Sequence, residues 1–446
     1  MVRDHGSTTR GEAEADAPAR TAPAALGARG SEGLARRFVR TRARTLALAA
    51  PLSPEDRQAQ SMPEASPAKW HLGHTTWFFE RFVLAPRGVR VRPEWDELLN
   101  SYYVTIGARH PRPERGLLTR PSNAEIERYR ADVEAEVVRA LPELDDAGRA
   151  LVELGCRHEE QHQELLLMDA LHLLSRNPLR PAYAAPTEPT TASTPAPPAL
   201  RLTIPSGVHE IGAPDDGAFH FDNERPRHRV HLAGGAIASR PVTNGEWLAF
   251  VEDGGYRRAE LWMSDGVDAV VREGFEAPLY WERRDDGTRR TFGLTGMRDL
   301  ALDEPVQHVS WYEADAFARW SGARLPREGE WEVAMLAHFD GAFAALATDD
   351  EDAYLSVRTL PRRCTEEIRG PGDSWEWTLG GYEPYPGYAP PPGAVGEYNG
   401  KFMSGQLVLR GGSFATPHGH ASATYRNFFW HTARWPFTGV RLAWDA

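Results

Sequence analysis

The sequence predicts a multi-domain chain, an all-α four-helix bundle followed by an α+β domain heavy in loops. Three observations predict it. Four segments with apolar residues at helical spacing lie upstream of residue 184. From Ala184 to Leu200, 15 of 17 residues are Ala, Pro, Ser or Thr, the composition of a stiff, extended spacer. Beyond the spacer the texture turns to short strands and turns, with 11 of the 14 tryptophans and with glycine pairs such as Gly234-Gly235 and Gly411-Gly412. At 446 residues the chain is also too long for one ordinary domain.

Residues 1–33 are rich in Ala, Gly, Arg, Glu and Thr without apolar periodicity and are expected to form a disordered tail. The expected bundle, 34–183, holds helices over Leu34–Ala50, Pro63–Leu84, Asn123–Leu141 and Ala147–Ser175. Ser53-Pro54-Glu55-Asp56 and Ser122-Asn123-Ala124-Glu125 have the form of N-terminal caps, and Asn177-Pro178 that of a stop. The connection from about Ala85 to Pro121 is too long for a simple turn, and such loops often carry function. After the linker at 184–200, the α+β domain at 201–446 is expected to contain two helices, near Trp311–Ser321 and Arg327–His338.

Sixty-three acidic against 51 basic residues give a net charge of -12, which repels phosphate backbones and anionic lipid, so no nucleic-acid partner is expected. No apolar run reaches the ~18–20 residues that span a bilayer, and the N-terminus lacks a secretion signal; the expected location is the cytoplasm, with no membrane partner. Oligomeric state is not legible. Cys156 and Cys364 are the two cysteines of the chain, too few for a disulfide framework or a thiolate zinc site, so a metal must use His or carboxylate ligands. No G-x-G-x-x-G follows a strand, and a nucleotide-binding Rossmann unit has no support.

The sharpest local signal is Arg157-His158-Glu159-Glu160-Gln161-His162. Positions i and i+4 of a helix lie one above the other, so His158 and His162 face a shared point in the bundle interior. In Trp70-His71-Leu72-Gly73-His74-Thr75-Thr76-Trp77, two further histidines sit among large apolar residues, where an unpartnered imidazole is costly. One of them can supply a third ligand from a facing helix, as bundle cores commonly do. Three neutral imidazoles leave open positions on a six-coordinate iron, an arrangement suited to dioxygen chemistry. The same string satisfies the H-E-x-x-H pattern of zinc hydrolases. The longer metzincin pattern fails, because Leu165 and Met168 stand where it needs Gly and His.

Together the segments SPAKWHLGHTTWFFERFVL, NSYYVTIGARHPRPERGLLTRPS, RHEEQHQELLLMDALHLLSRNPLRPAY, PVQHVSWYEADAFARWSGARLP, DSWEWT, GAVGEYNGKFM, LVLRGGSFATP and YRNFFWHTARWPFTGVRLA resemble the ergothioneine-biosynthesis sulfoxide synthases. That family joins a DinB-like helical bundle to a formylglycine-generating-enzyme-like (FGE-sulfatase) domain of C-type-lectin-like fold. The resemblance implies mononuclear non-haem Fe(II) held by His74, His158 and His162, with His71 as a structural neighbour. It implies coupling of a thiol to C2 of the imidazole of hercynine (Nα-trimethylhistidine), with oxidation of the sulfur by O2. It places Gln161 at the hercynine imidazole and Asn427 and Phe428 near the trimethylammonium group. Of Tyr102 and Tyr103, Tyr103 is the expected proton donor during the oxygen chemistry and Tyr102 the fallback.

Phe429 and Ala433 occupy positions where relatives using γ-glutamylcysteine carry Asp and Arg. NSYY resembles the branch that uses free cysteine, whose carboxylate would pair with Arg109 or Arg112. The expected product is hercynylcysteine sulfoxide. Alternatives are the same chemistry with γ-glutamylcysteine or a selenosugar, an ovothiol-type histidine/cysteine synthase, disfavoured because no methyltransferase domain follows, and the zinc hydrolase. Formylglycine generation requires a cysteine pair, where this domain has Cys364 alone. In a non-catalytic reading, the lectin-like half binds a ligand and the bundle supports it.

Overall fold

The computed structural model describes residues 28–185, 194–346, 354–356 and 358–446. The bundle is built from α1 (Ala28–Ala49), α2 (Pro54–Gln58), α3 (Ala68–Phe79), α4 (Asp96–Leu99), α5 (Asn123–Ala140) and α6 (Asp146–Arg176). The long members α1, α3, α5 and α6 pack on one another around α3, every residue of which is buried. Ser122 opens α5 with a reciprocal capping box to Glu125, and Asn177 closes α6. The Ser53 box opens the separate five-residue α2, so the helix expected from Pro63 begins instead at Ala68. α1 starts at Ala28, inside the stretch expected to be a tail; residues 1–27 of that stretch lie outside the described residues.

Close approach between α3 and α6 depends on Gly155. A Cβ there would stand 2.4 Å from a ring carbon of Phe79, so a larger residue would force the helices apart three residues before His158.

Among the described residues the second domain holds four small sheets. β1 (Arg201–Ile204), β4 (Gly235–Ala238) and β12 (Ala443–Trp444) form one, and β2 (Gly207–Ile211) pairs with β3 (His228–Leu232). β5 (Trp281–Arg283), β6 (Arg289–Gly293) and β7 (Gly296–Asp299) form the third. The fourth, in the order β10 (Asn427–Trp430), β9 (Gln406–Arg410), β8 (Trp375–Gly381), β11 (Thr438–Gly439), brings Asn427 and Phe428 toward the bundle. Among the described residues this domain has four helices rather than the expected two: α7 (Asn244–Glu252), α8 (Ser264–Glu273), α9 (Trp311–Trp320) and α10 (Glu328–Leu346). The Thr243/Glu246 box that starts α7 was readable in the sequence; α8 lacks a side-chain cap.

The described ends of the expected spacer are not free in solvent. The amides of Tyr183 and Ala184 both donate to the Leu294 carbonyl, and Arg240 donates to the Pro197 carbonyl at 2.7 Å. Residues 186–193 lie outside the described residues. One hydrophobic core runs from Phe38, Trp77 and Leu167 of the bundle to Trp247, Trp377 and Phe437 of the second domain, so the halves dock through apolar contact.

Candidate metal centre

α3 supplies His74 and α6 supplies His158 and His162. One ligand-capable nitrogen of each lies within 4.8 Å of the other two. Of the two α3 histidines, His74 lies with His158 and His162, and His71 lies outside the group.

Hydrogen bonds fix the tautomers. His74 Nδ1 donates to the Leu99 carbonyl at 2.6 Å, which leaves Nε2 as a lone-pair donor, buried and without a partner. Asp169 Oδ2 accepts from the Ser66 amide at 2.8 Å and from His71 Nε2 at 3.0 Å. His71 Nδ1 must then accept, at 2.8 Å, the proton of His162 Nδ1, which frees His162 Nε2 for a ligand. Both nitrogens of His158 are buried with no hydrogen-bond partner among the described residues. An unpaired buried polar group costs ~1–3 kcal/mol, and a shared cation satisfies all three rings at once.

The surroundings keep the rings in place and uncharged. Trp70 stacks on His74 at 4.5 Å between centroids and Trp77 lies on its other side at 5.8 Å, while Phe78 packs on His158 at 4.8 Å. Burial pushes His158 down to about 3, and burial together with the neighbouring imidazoles holds His74 and His162 well below the usual histidine range. Neutral nitrogen donors of this kind fit a ferrous ion or another borderline divalent metal.

The glutamate a zinc hydrolase would use is spent elsewhere. Glu159 accepts from Arg42 at 2.8 Å, from Thr45 at 2.6 Å and from Arg130, with both oxygens buried. Although burial raises its pKa, the Arg130 and Arg42 guanidiniums outweigh that and hold it ionised. Glu160 likewise points away, to Arg37, Tyr354 and, at 2.9 Å, His420 of the second domain.

His158 and His162 open on a cavity of about 460 Å³ between the domains. Gln161, Tyr102, Arg112, Asn427 and Phe428, residues singled out through the resemblance, line it. Arg109 is exposed and Tyr103 fully buried, and neither reaches the wall. Tyr103 is closed in by Trp77 and Phe82, with its hydroxyl 3.3 Å from that of Tyr102. Of the two tyrosines, Tyr102, the fallback of the pair, faces the cavity and Tyr103, the expected donor, lies behind it. Gln161 donates to Tyr425 at 2.7 Å and accepts from Tyr398, so its amide is oriented by the second domain. Phe428 stacks on Tyr382 at 4.0 Å.

Sequence reasoning missed three groups. Asp169 was not singled out, although it lies one turn beyond Leu165 on the same helix. Tyr398, in the quoted GAVGEYNGKFM, sets its ring edge-on to His158 at 5.5 Å. Arg115 follows Arg112 by three residues; its guanidinium lies 3.3 Å over the Trp70 ring and donates to Ser66 at 2.9 Å and Ser101 at 3.0 Å, with no carboxylate bonded to it among the described residues. Burial, followed by repulsion from Arg112, pulls it down to about 8.

A helical bundle with a buried histidine triad, opening on a cavity walled by a loop-rich α+β domain, defines a two-domain metal-site class. Residues 37–168 match the DinB superfamily and residues 187–362 the sulfatase-modifying factor enzyme 1-like domain. Hercynine oxygenase of Mycolicibacterium thermoresistibile is 35% identical, with 92% of this chain and 94% of that protein covered. Hercynine oxygenase of Mycobacterium tuberculosis is 34% identical, with 93% of this chain and 99% of that protein covered. Formylglycine-generating enzyme of Streptomyces coelicolor is 30% identical, covering 52% of this chain and 84% of that protein. The chain belongs to the hercynine oxygenase family, a family of oxygenases. No helix among the described residues is long and apolar enough to cross a membrane.

Proposed function

We propose that the protein joins hercynine, at C2 of its imidazole, to cysteine and oxidises the sulfur, giving hercynylcysteine sulfoxide. The observation that carries this reading is the triad of buried, neutral histidines opening on a cavity with a guanidinium at one wall and aromatic rings at the other. The reaction balances as hercynine plus cysteine plus O2 to sulfoxide plus water: the C2–H and S–H bonds give way to C–S, one oxygen atom ends on sulfur and the other in water. His74, His158 and His162 would hold Fe(II), which when bound supplies redox chemistry with O2 and sites for a thiolate.

The protein's own groups supply orientation and protons. Arg115, buried and with no carboxylate bonded to it among the described residues, fits the cysteine carboxylate, and Arg112 also lines the cavity. Gln161, held by Tyr398 and Tyr425, fits the hercynine imidazole edge. Phe428 and Phe402 present rings to the cavity, suited to a quaternary ammonium. Tyr102, which lines the cavity, is the proton donor, with the Tyr103 hydroxyl behind it; burial raises both phenols above their ordinary value, so both hold their protons at neutral pH. Tyr398, similarly raised by burial and edge-on to His158, is the second candidate. Holding both substrates at one point replaces a three-body encounter with a preset geometry.

Phe429, Trp430 and Trp435 line the part of the cavity where a glutamyl group would need polar anchors, which supports free cysteine over γ-glutamylcysteine. The engaged Glu159 disfavours zinc hydrolysis. The test is mass spectrometry of protein, Fe(II), O2 and hercynine with cysteine, γ-glutamylcysteine or a selenosugar in parallel. The cysteine sulfoxide should dominate, and absence of any coupled product refutes the reading.

A further inference from the structure

The turn that carries Tyr102 and Tyr103 belongs to the long connection between α3 and α5 and makes few regular backbone bonds of its own, so something else must fix the tyrosines at the cavity. Asn100 of the bundle holds Tyr103, accepting from its amide and donating to its carbonyl, each at 3.0 Å, while the contacts on Tyr102, Val104 and Thr105 come from the other domain. The amides of Val104 and Thr105 donate to the two carboxylate oxygens of Glu397 at 2.9 and 3.0 Å, and the Thr105 hydroxyl donates to the same group. Lys401, four residues on, donates to the Tyr102 carbonyl, pairs with Glu397 at 2.8 Å and lies 5.0 Å from the centre of the Tyr102 ring. Phe402 closes on that ring edge-on at 5.2 Å. Burial raises the Glu397 carboxyl, but Lys401 and the Thr105 and Val104 donors outweigh it and hold the group down to about 2.

Other contacts dock the domains independently of this pair. Glu160 meets His420 at 2.9 Å, Trp375 donates to Glu164 at 2.8 Å, and Arg157 reaches the Gly419 carbonyl. Losing Glu397 or Lys401 therefore loosens the turn at Tyr102, Val104 and Thr105, with Asn100 still holding Tyr103, and does so without separating the halves.

We propose that Glu397 and Lys401 are positioning residues: a clamp from the second domain that holds the Tyr102 backbone and ring against the cavity. Through it, proton supply depends on how the domains dock. This rests on the functional reading above in taking Tyr102 as the proton donor.

The test uses the full chain with Glu397→Ala, Lys401→Met and, as the conservative variant, Glu397→Gln, which keeps an acceptor for one amide. Hydrogen exchange should quicken ~10-fold or more at Val104 and Thr105 in Glu397→Ala and stay unchanged along α6. Iron content should match the parent. The fraction of consumed O2 that ends in coupled sulfoxide should fall ~10-fold, because a displacement of ~1 Å at a reacting group costs up to ~100-fold in rate. Glu397→Gln should recover part of both effects. Faster exchange with unchanged product partition overturns the positioning role, and unchanged exchange overturns the clamp. A parent chain that forms no coupled product overturns the functional reading and the catalytic half of this inference, while the exchange data still decide whether the clamp orders the turn.

Discussion

Replacing His158 with Leu separates a metal ligand from a packing residue, because the two roles predict opposite signs. In the metal-free chain both ring nitrogens of His158 are buried and unpartnered, beside Phe78 at 4.8 Å. Two such groups cost about 2–6 kcal/mol, and a leucine of similar bulk removes that cost while adding at most ~1–3 kcal/mol of shape mismatch. Metal-free His158→Leu should therefore unfold no earlier than the metal-free parent. Fe(II) at 100 times its Kd stabilises a binding protein by ~2.7 kcal/mol, which for a domain of the bundle's size is a rise of ~5–10 °C in Tm. Calorimetric scans under argon, with chelator and with excess Fe(II), should show that rise in the parent and none in the variant. Metal analysis should find one iron per parent chain and under a tenth of that in the variant. Stoichiometric iron in His158→Leu, or a metal-free variant more than ~3 kcal/mol less stable than the metal-free parent, would refute the argument from unpartnered nitrogens.

Asp169→Asn removes the acceptor that fixes the His71 and His162 tautomers and should weaken iron binding ~10–100-fold, read by competition with a chelator; an unchanged affinity would show that the relay is incidental. Arg115→Met deletes a buried guanidinium lacking a carboxylate partner; KM for cysteine should rise ~10–100-fold while the thermal midpoint holds or climbs, and an unaltered KM sinks the carboxylate role. Tyr102→Phe should leave iron bound yet divert turnover toward simple cysteine oxidation, whereas Tyr103→Phe should do so more weakly; the reverse ranking would restore Tyr103 as the direct donor. For pH, the sign follows from His158 being held down to about 3: between pH 6.5 and 5 the unfolded metal-free chain takes up a proton that the folded one refuses. Stability should thus fall on acidification, by up to ~1.4 kcal/mol per pH unit from this residue, and denaturant midpoints of His158→Leu should show a shallower slope.

The bundle was legible because its signals are local. Helical spacing, the Ser122 box and the Asn177 stop each act within a few residues, and α5 and α6 begin and end within about a turn of where those signals fall. His158 and His162 were legible for the same reason, being one turn apart on one helix. What remained hidden depends on partners distant in sequence. Tyr398 matters through contact with His158, and Arg115 is set apart from Arg109 and Arg112 by its stacking on Trp70, which no spacing rule encodes. That Tyr102 lines the cavity with Tyr103 behind it was not legible, because an irregular turn whose amides bond Glu397 places the two rings. α8 was missed for want of a capping side chain.

The second domain shows why likeness over half a chain does not transfer chemistry. Its similarity to formylglycine-generating enzyme spans 52% of this chain, yet Cys364 is fully buried, burial raises its thiol to about 11, and it has no place in the cavity wall. A protonated, enclosed thiol is a poor nucleophile or redox partner. The domain contributes instead through its surface: β10 brings Asn427 and Phe428, the 394–402 segment brings Tyr398 and the Glu397–Lys401 clamp, and Tyr425 orients Gln161. Each of these groups contacts a residue of the bundle or lines the shared cavity, so the proposed chemistry needs groups from both domains.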